Sequence, residues 1–208
     1  MNRQLYRFHC YLHRHTASLF LMTRIDATWK YMQPNENEKY HNFRFEQYYQ
    51  RMLTNEKLKH IPKPVFEQWV YHQNQEPNSL KNYGWLNFEK IEFLLCEWDV
   101  ATLDTVRVIN NFMPYYTEKS SHSDFKEIGC IPEDKRKWSE EGTWRTPPII
   151  IDIESLLSPI PDGCELNAPY QLVEGHTRLG YLHSMKRILP ANGLKLASKH
   201  WIYLMREK

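Results

Sequence analysis

"QLVEGHTRLGYLHSMKR" occupies Gln171 to Arg187, and its reading decides the fold. The apolar pair Leu172 and Val173 belongs to a short strand-like run, "PYQLVEG". From Thr177 to about Leu189, the residues Leu179, Leu182 and Met185 recur at helical spacing. Between the two runs stands Gly175, a residue that permits a tight turn. The stretch therefore predicts a strand, a turn and a helix in immediate succession.

Outward from this stretch the same alternation continues. Upstream, "TPPIIIDIESLL" is a β-branched run opened by Pro147 and Pro148, and a strand tolerates prolines where it begins. Downstream, "ASKHWIYLMREK" predicts another strand. "KIEFLLCEW" puts Ile91, Phe93 and Leu95 on one side, and "DTVRVINNF" does the same with Val106 and Val108, so both read as strands. Before residue 78 the pattern is mostly helical. "RFEQYYQRML" carries apolar and aromatic residues on one side, and "IPKPVFEQWVYHQ" opens with prolines suited to a first helical turn. Val65, Trp69 and His72 then share a face. The break "NQEPNSLKNYG" places a boundary near residue 78. The order is α+β, with a mostly helical segment over 1–78 and the strand-containing part over 79–208.

Composition limits the function classes. The 208 residues are 41% hydrophobic and 25% charged, as expected of a globular chain. A formal net charge of +2 gives no electrostatic footprint of a dedicated DNA binder. Cys10, Cys96, Cys130 and Cys164 are scattered without a CxxC pair, which argues against a structural zinc site and for free thiols. Arg7, His9, His13, Arg14 and His15 interrupt the first residues, so no secretory apolar core forms there. No stretch reaches the ~18 apolar residues of a membrane span. The expectation is a cytoplasmic protein without a membrane partner.

The chemistry concentrates in Glu174-Gly175-His176-Thr177-Arg178. The first amides of a helix lack internal partners, and with the helix dipole they attract an anion. Gly175 lets a ligand approach the main chain, Thr177 supplies a hydroxyl, and Arg178 can grip a phosphate with two parallel hydrogen bonds. His176 offers a hydrogen bond or a proton near neutral pH, and Glu174 offers a base, an orienting group or a metal ligand. Folding alone also accounts for a glycine and a capping threonine at such a turn, with Arg178 paired to Glu174.

"LVEGHTRLGYL" resembles the signature turn of the ParB N-terminal and sulfiredoxin-like superfamily, in which a Gly-x-x-Arg segment joins a strand to a helix. "PPIIIDIESLL" and "KHWIYLMRE" resemble the strands on either side, so the resemblance spans roughly Pro147 to Arg206. It implies a small mixed sheet with flanking helices. It also implies a nucleotide-phosphate site at Gly175, His176, Thr177 and Arg178, with Glu174 and His176 as catalytic candidates. A nucleoside triphosphate with Mg²⁺ is the implied cofactor. Activities in the superfamily include CTP hydrolysis, phosphoryl transfer from ATP, phosphorylation of free serine, and nuclease action. His176 stands where sulfiredoxins carry their cysteine, and Thr177 replaces the first of the paired arginines of partition proteins. Only twenty-one residues follow Arg187, too few for the DNA-binding domain of a partition protein. The serine-kinase branch matches the acid-Gly-His-x-Arg pattern best.

Other residues carry weaker signals. Asp152 and Glu154 at the end of the "PPIII" strand could assist magnesium or act as a base, or form a solvated strand end. Trp144 and Arg145 could stack on a base and contact a phosphate, or pack a loop. His9 and His13 have helical metal spacing without an accompanying Glu-x-x-His. "EDKRKWSEE" reads as a solvated loop or helix face. The leading expectation is a nucleotide- or phosphate-binding protein, hydrolysing or transferring a phosphoryl group. Alternatives are an interaction protein, such as a toxin-neutralising immunity protein docking through its aromatic-rich N-terminal segment, and a ParB-like nuclease.

Overall fold

The computed structural model describes residues 27–38 and 44–208. His9 and His13 lie outside the described residues. Helix α1 (Trp29–Met32) starts at Thr28, whose side chain accepts from the Tyr31 amide. Helix α2 (Phe45–Leu53) buries Phe45, Tyr48 and Met52, the three- and four-residue spacing of one face. Helix α3 (Lys63–Val65) has Pro64 in its first turn and widens into a π-helical run, Phe66–Tyr71. Val65 and Trp69 point inward as their spacing predicts, but His72 is exposed, because the wider π turn breaks the helical phase before it. Helix α4 (Pro77–Tyr83) has proline in its first turn, and the Glu76 carboxylate accepts from the amides of Asn78 and Ser79.

Among the described residues four strands form one mixed sheet: β1 (Ile91–Asp99), β2 (Ile149–Asp152), β3 (Tyr170–Glu174) and β4 (Lys199–Glu207), in the spatial order β1-β4-β2-β3. β4 runs antiparallel to β1 and parallel to β2, and β2 runs antiparallel to β3. Short helix α5 (Val100–Leu103) follows β1. Helix α6 (Met113–Ser121) and helix α7 (Pro132–Glu141) lie between β1 and β2, and helix α8 (His176–Ala191) joins β3 to β4. "DTVRVINNF" is not a strand. Only Arg107 pairs, through a single bridge to Gln171 on the outer edge of β3, and the chain then turns into a 3₁₀ segment at Asn110–Phe112. Alternation needs a neighbour along its whole length to become a strand, and here β3 offers one residue of it.

Both faces of the sheet are covered. Ile149, Ile150 and Ile151 of central β2 are fully buried. Ile149 and Ile151, with Val173, Tyr203 and Met205, pack against the aromatic residues of the N-terminal helices. Ile150, Leu172 and Ile202 face the other way, against Leu179, Leu182, Met185 and Ile188 of α8. The sheet is thus sandwiched between an N-terminal helical layer and α8. Trp29, Phe45, Tyr48, Phe66, Trp69 and Phe88 are buried in the first of these cores. Those aromatics therefore supply packing. None of the described helices is long and apolar enough to cross a membrane.

Candidate functional site

The pairing of β2 with β3 prepares the site. Ile150 faces Leu172, but Ile149 faces Glu174, so Val173 is an extra residue at a bulge. A bulge re-aims the side chains beside it, and here it lies next to Glu174. Gly175 follows with φ 108° and ψ 26°, a left-handed conformation open to glycine. A Cβ on Gly175 would come within 2.5 Å of the Pro148 Cβ, so the turn lies hard against the start of β2. Helix α8 then begins at His176, and no side chain caps it.

Two cavities flank this turn. The first, about 350 Å³, is lined by Gly175, Thr177 and Arg178 together with Trp138, Trp144, Arg145 and Tyr181. The second, about 410 Å³, is lined by His176, Phe112, Tyr115, Gln73 and Ser79. Glu174 and Thr177 border both. The five residues of the turn are therefore contiguous in chain but divided in space: Arg178 serves one cavity and His176 the other. The first cavity has two guanidinium groups on its wall, and among the described residues the second is lined by no lysine or arginine.

Arg178 is 22% exposed at its side chain and Glu174 23%. Their closest approach, Nη2 to Oε1, is 3.5 Å, an ion pair longer than a good hydrogen bond. Nη2 of Arg178 instead donates to Oε1 of Gln68 at 2.7 Å. Burial pushes the Glu174 carboxyl above its usual range, opposed by Arg178 and by the Gly175 amide. Burial also lowers the Arg178 guanidinium, opposed by Glu174 and Asp134. Burial, with the Arg178 charge second, holds His176 down at about 4, so the ring is neutral at pH 7. That narrows its role from a proton shuttle near neutrality to a neutral donor or acceptor. The ring packs on Phe112 with centroids 4.4 Å apart, and its Nε2 has no hydrogen-bond partner among the described residues. The Thr177 hydroxyl is 2.6 Å from the Tyr115 hydroxyl of α6.

The weaker candidates divide. Trp144 and Arg145 do reach the first cavity. Trp144 is also structural: its Nε1 donates to the Trp201 carbonyl at 2.7 Å, and Arg145 pairs with Asp134 at 2.7 Å. Asp152 and Glu154 do not belong to the site. Asp152 pairs with Tyr170, at the end of the β2–β3 hairpin opposite to Glu174, and its carboxylate caps the 3₁₀ turn by accepting from the Glu154 amide. Three residue steps along the strand, about 10 Å, separate it from Ile149. The "EDKRKWSEE" run is helix α7, largely solvated, but it turns Trp138 into the core and onto the cavity. Sequence reasoning missed Gln68, Tyr115 and Phe112. Each lies far from the turn in the chain, and none stands in a pattern that marks it.

Comparison of the chain with protein families, with characterised proteins and with solved structures gives no match. Among the described residues no group of three or more His, Cys, Asp and Glu side chains could hold a metal ion.

Proposed function

We propose that the first cavity binds a phosphate-bearing ligand, a nucleotide being the form that suits it best. The observation that carries this reading is the placement of Arg178 beside an uncapped helix start, both on the wall of a cavity of about 350 Å³. An unsatisfied helix N-terminus and a guanidinium together favour negative oxygens. Trp138 and Trp144 supply an aromatic wall at the same cavity, suited to a base, and Arg145 a second cation. The resemblance of Glu174–Arg178 to the ParB and sulfiredoxin-like turn agrees with this reading. Mg²⁺ accompanying a triphosphate takes one or two protein carboxylates and completes its shell with phosphate and water. Glu174 and Asp134 are the carboxylates bordering the cavity, and Asp134 is already engaged with Arg145.

Within this reading Arg178 and the first amides of α8 hold the phosphate. Glu174, its pKa raised by burial, sits between the cavities, where a base or orienting group would serve transfer to water or to a hydroxyl. Phosphoryl transfer draws mainly on positioning and charge stabilisation, which these groups provide.

Calorimetry with ATP, CTP, GTP and pyrophosphate, with and without Mg²⁺, tests the proposal. Binding by the wild type is expected, and Arg178→Lys should weaken it by roughly tenfold, because an ammonium cannot reproduce the planar fork. Absence of binding at millimolar ligand, or an unaltered affinity in Arg178→Lys, would refute it.

A further inference from the structure

Gln68 is 110 residues from Arg178 in the chain, yet it makes the shortest contact of the site arginine. Its side chain spans two elements. Nε2 donates to the Pro147 carbonyl at 3.1 Å, and Oε1 accepts from Arg178 Nη2 at 2.7 Å. These partners fix the amide's orientation. A carbonyl oxygen only accepts and a guanidinium only donates, so the reversed amide would satisfy neither.

Gln68 reaches this position from the π-helical run Phe66–Tyr71. Phe66, Trp69, Val70 and Tyr71 of that run are buried, whereas Gln68 is only partly so. The run is anchored in the core while one polar side chain projects to the turn. π-helical turns recur at functional sites, where they redirect a side chain out of the regular helical phase. The guanidinium is thus held at Nη2 from two sides, by Gln68 at 2.7 Å and by Glu174 at 3.5 Å. Its Nε has no acceptor among the described residues.

We infer that Gln68 is a positioning residue for Arg178, and that the N-terminal helical layer is thereby part of the anion site. The inference deepens the phosphate reading of the turn and rests on it. Glu174 alone holds Nη2 too loosely to fix the plane of the fork. Gln68 fixes it without adding a negative charge that would compete with the ligand. The Pro147 carbonyl in turn fixes Gln68, and Pro148 packs on Gly175. One local assembly therefore sets both the guanidinium and the turn.

The test uses the full chain and two variants of similar side-chain size. Gln68→Met removes both hydrogen bonds. Gln68→Glu keeps an acceptor beside Arg178 but loses the donor to the Pro147 carbonyl and adds a charge. Three quantities are read: pyrophosphate affinity by calorimetry, guanidinium rotation of Arg178 by ¹⁵N NMR, and thermal stability. Gln68→Met should free the guanidinium rotation and weaken pyrophosphate about tenfold, beyond any change that accompanies lost stability. Gln68→Glu should keep the rotation slow yet bind pyrophosphate more weakly than the wild type, because its carboxylate competes for Arg178. A role in packing alone predicts affinity that follows stability and a guanidinium signal that does not move. Wild-type rotation or wild-type affinity in Gln68→Met overturns the inference. Should Gln68→Met not fold, wild-type affinity in Gln68→Glu overturns it equally. If the wild type binds no pyrophosphate, the phosphate reading fails, and the guanidinium signal still decides whether Gln68 holds Arg178.

Discussion

At Gly175 two demands meet in one residue. The backbone there has φ 108°, and the space a Cβ would take is already filled by Pro148. Gly175→Ala must therefore strain the backbone and push Pro148 aside at once. Pro148 cannot yield freely, because its carbonyl accepts from the Tyr203 amide at 2.8 Å in the central pairing of the sheet. A loss of about 1–3 kcal/mol is expected, measured by urea unfolding. The same substitution should weaken phosphate binding, since the added Cβ would also lie 3.1 Å from Nη2 of Arg178. A stable variant with full affinity would mean that the tightness of the turn has no bearing on the ligand. His176 is instructive for a different reason. Its place in the sequence marks it for chemistry at neutral pH, yet Phe112 and the surrounding burial keep its ring uncharged. Identity and spacing mark a candidate, and only packing sets its protonation.

At the scale of elements, α6 and α8 cross where Gly180 has no side chain. A Cβ there would lie 2.7 Å from the Lys119 Cβ and 3.1 Å from the Tyr116 carbonyl oxygen. Neither atom is the loose end of a side chain. The helices are then locked by polar contacts that α8 makes to the end of α6. The Ser184 hydroxyl donates to the Lys119 carbonyl at 2.6 Å, and Arg187 Nη2 donates to the Ser120 and His122 carbonyls. Gly180→Ala should force the helices apart and cost about 1–3 kcal/mol in chemical denaturation. It should also shift the Tyr115–Thr177 contact, which depends on the same crossing. An unchanged stability would show that α6 can slide without loss.

The strand, turn and helix over Gln171–Arg187 were legible in the sequence because Leu172, Val173, Leu179, Leu182 and Met185 follow local periodicity. The β1 and β4 strands were legible for the same reason. Val106 and Val108 misled, because whether an alternating run becomes a strand depends on a partner that lies elsewhere in the chain. The turn of the candidate site was equally legible, but not its division between two cavities. That division follows from the bulge at Val173 and from α6, α7 and the π-helical run, which bring Tyr115, Trp138 and Gln68 to it. Spacing along one segment carries no record of side chains delivered by other segments.

For the whole molecule, buried histidines make stability depend on pH. His200 is fully buried between Thr143 and Trp144, and burial lowers its pKa to about 4, as it does that of His176. His183 is lowered as well, mainly by burial. In the unfolded chain these rings titrate near the ordinary value of about 6.5. Between about pH 6.5 and pH 4 the unfolded state thus binds more protons than the native state. Their contribution is complete above pH 6.5 and is lost as the pH falls towards 4, on the order of 2–3 kcal/mol for each of His176 and His200. Glu174 acts with the opposite sign, because its raised pKa makes the native state take up a proton earlier than the unfolded chain does. Glu38, lowered on balance because its hydrogen bonds to Arg51 and the Asn35 amide outweigh burial, loses its contribution only at the acid end. Urea unfolding at pH 7.5, 6 and 5 should therefore show stability falling with pH through a range in which ordinary carboxylates remain ionised. His200→Gln keeps a polar group beside Thr143 and cannot take up that proton, so its stability should fall less steeply over the same range. Equal slopes for the variant and the wild type would mean that His200 finds a partner for its proton in the fold.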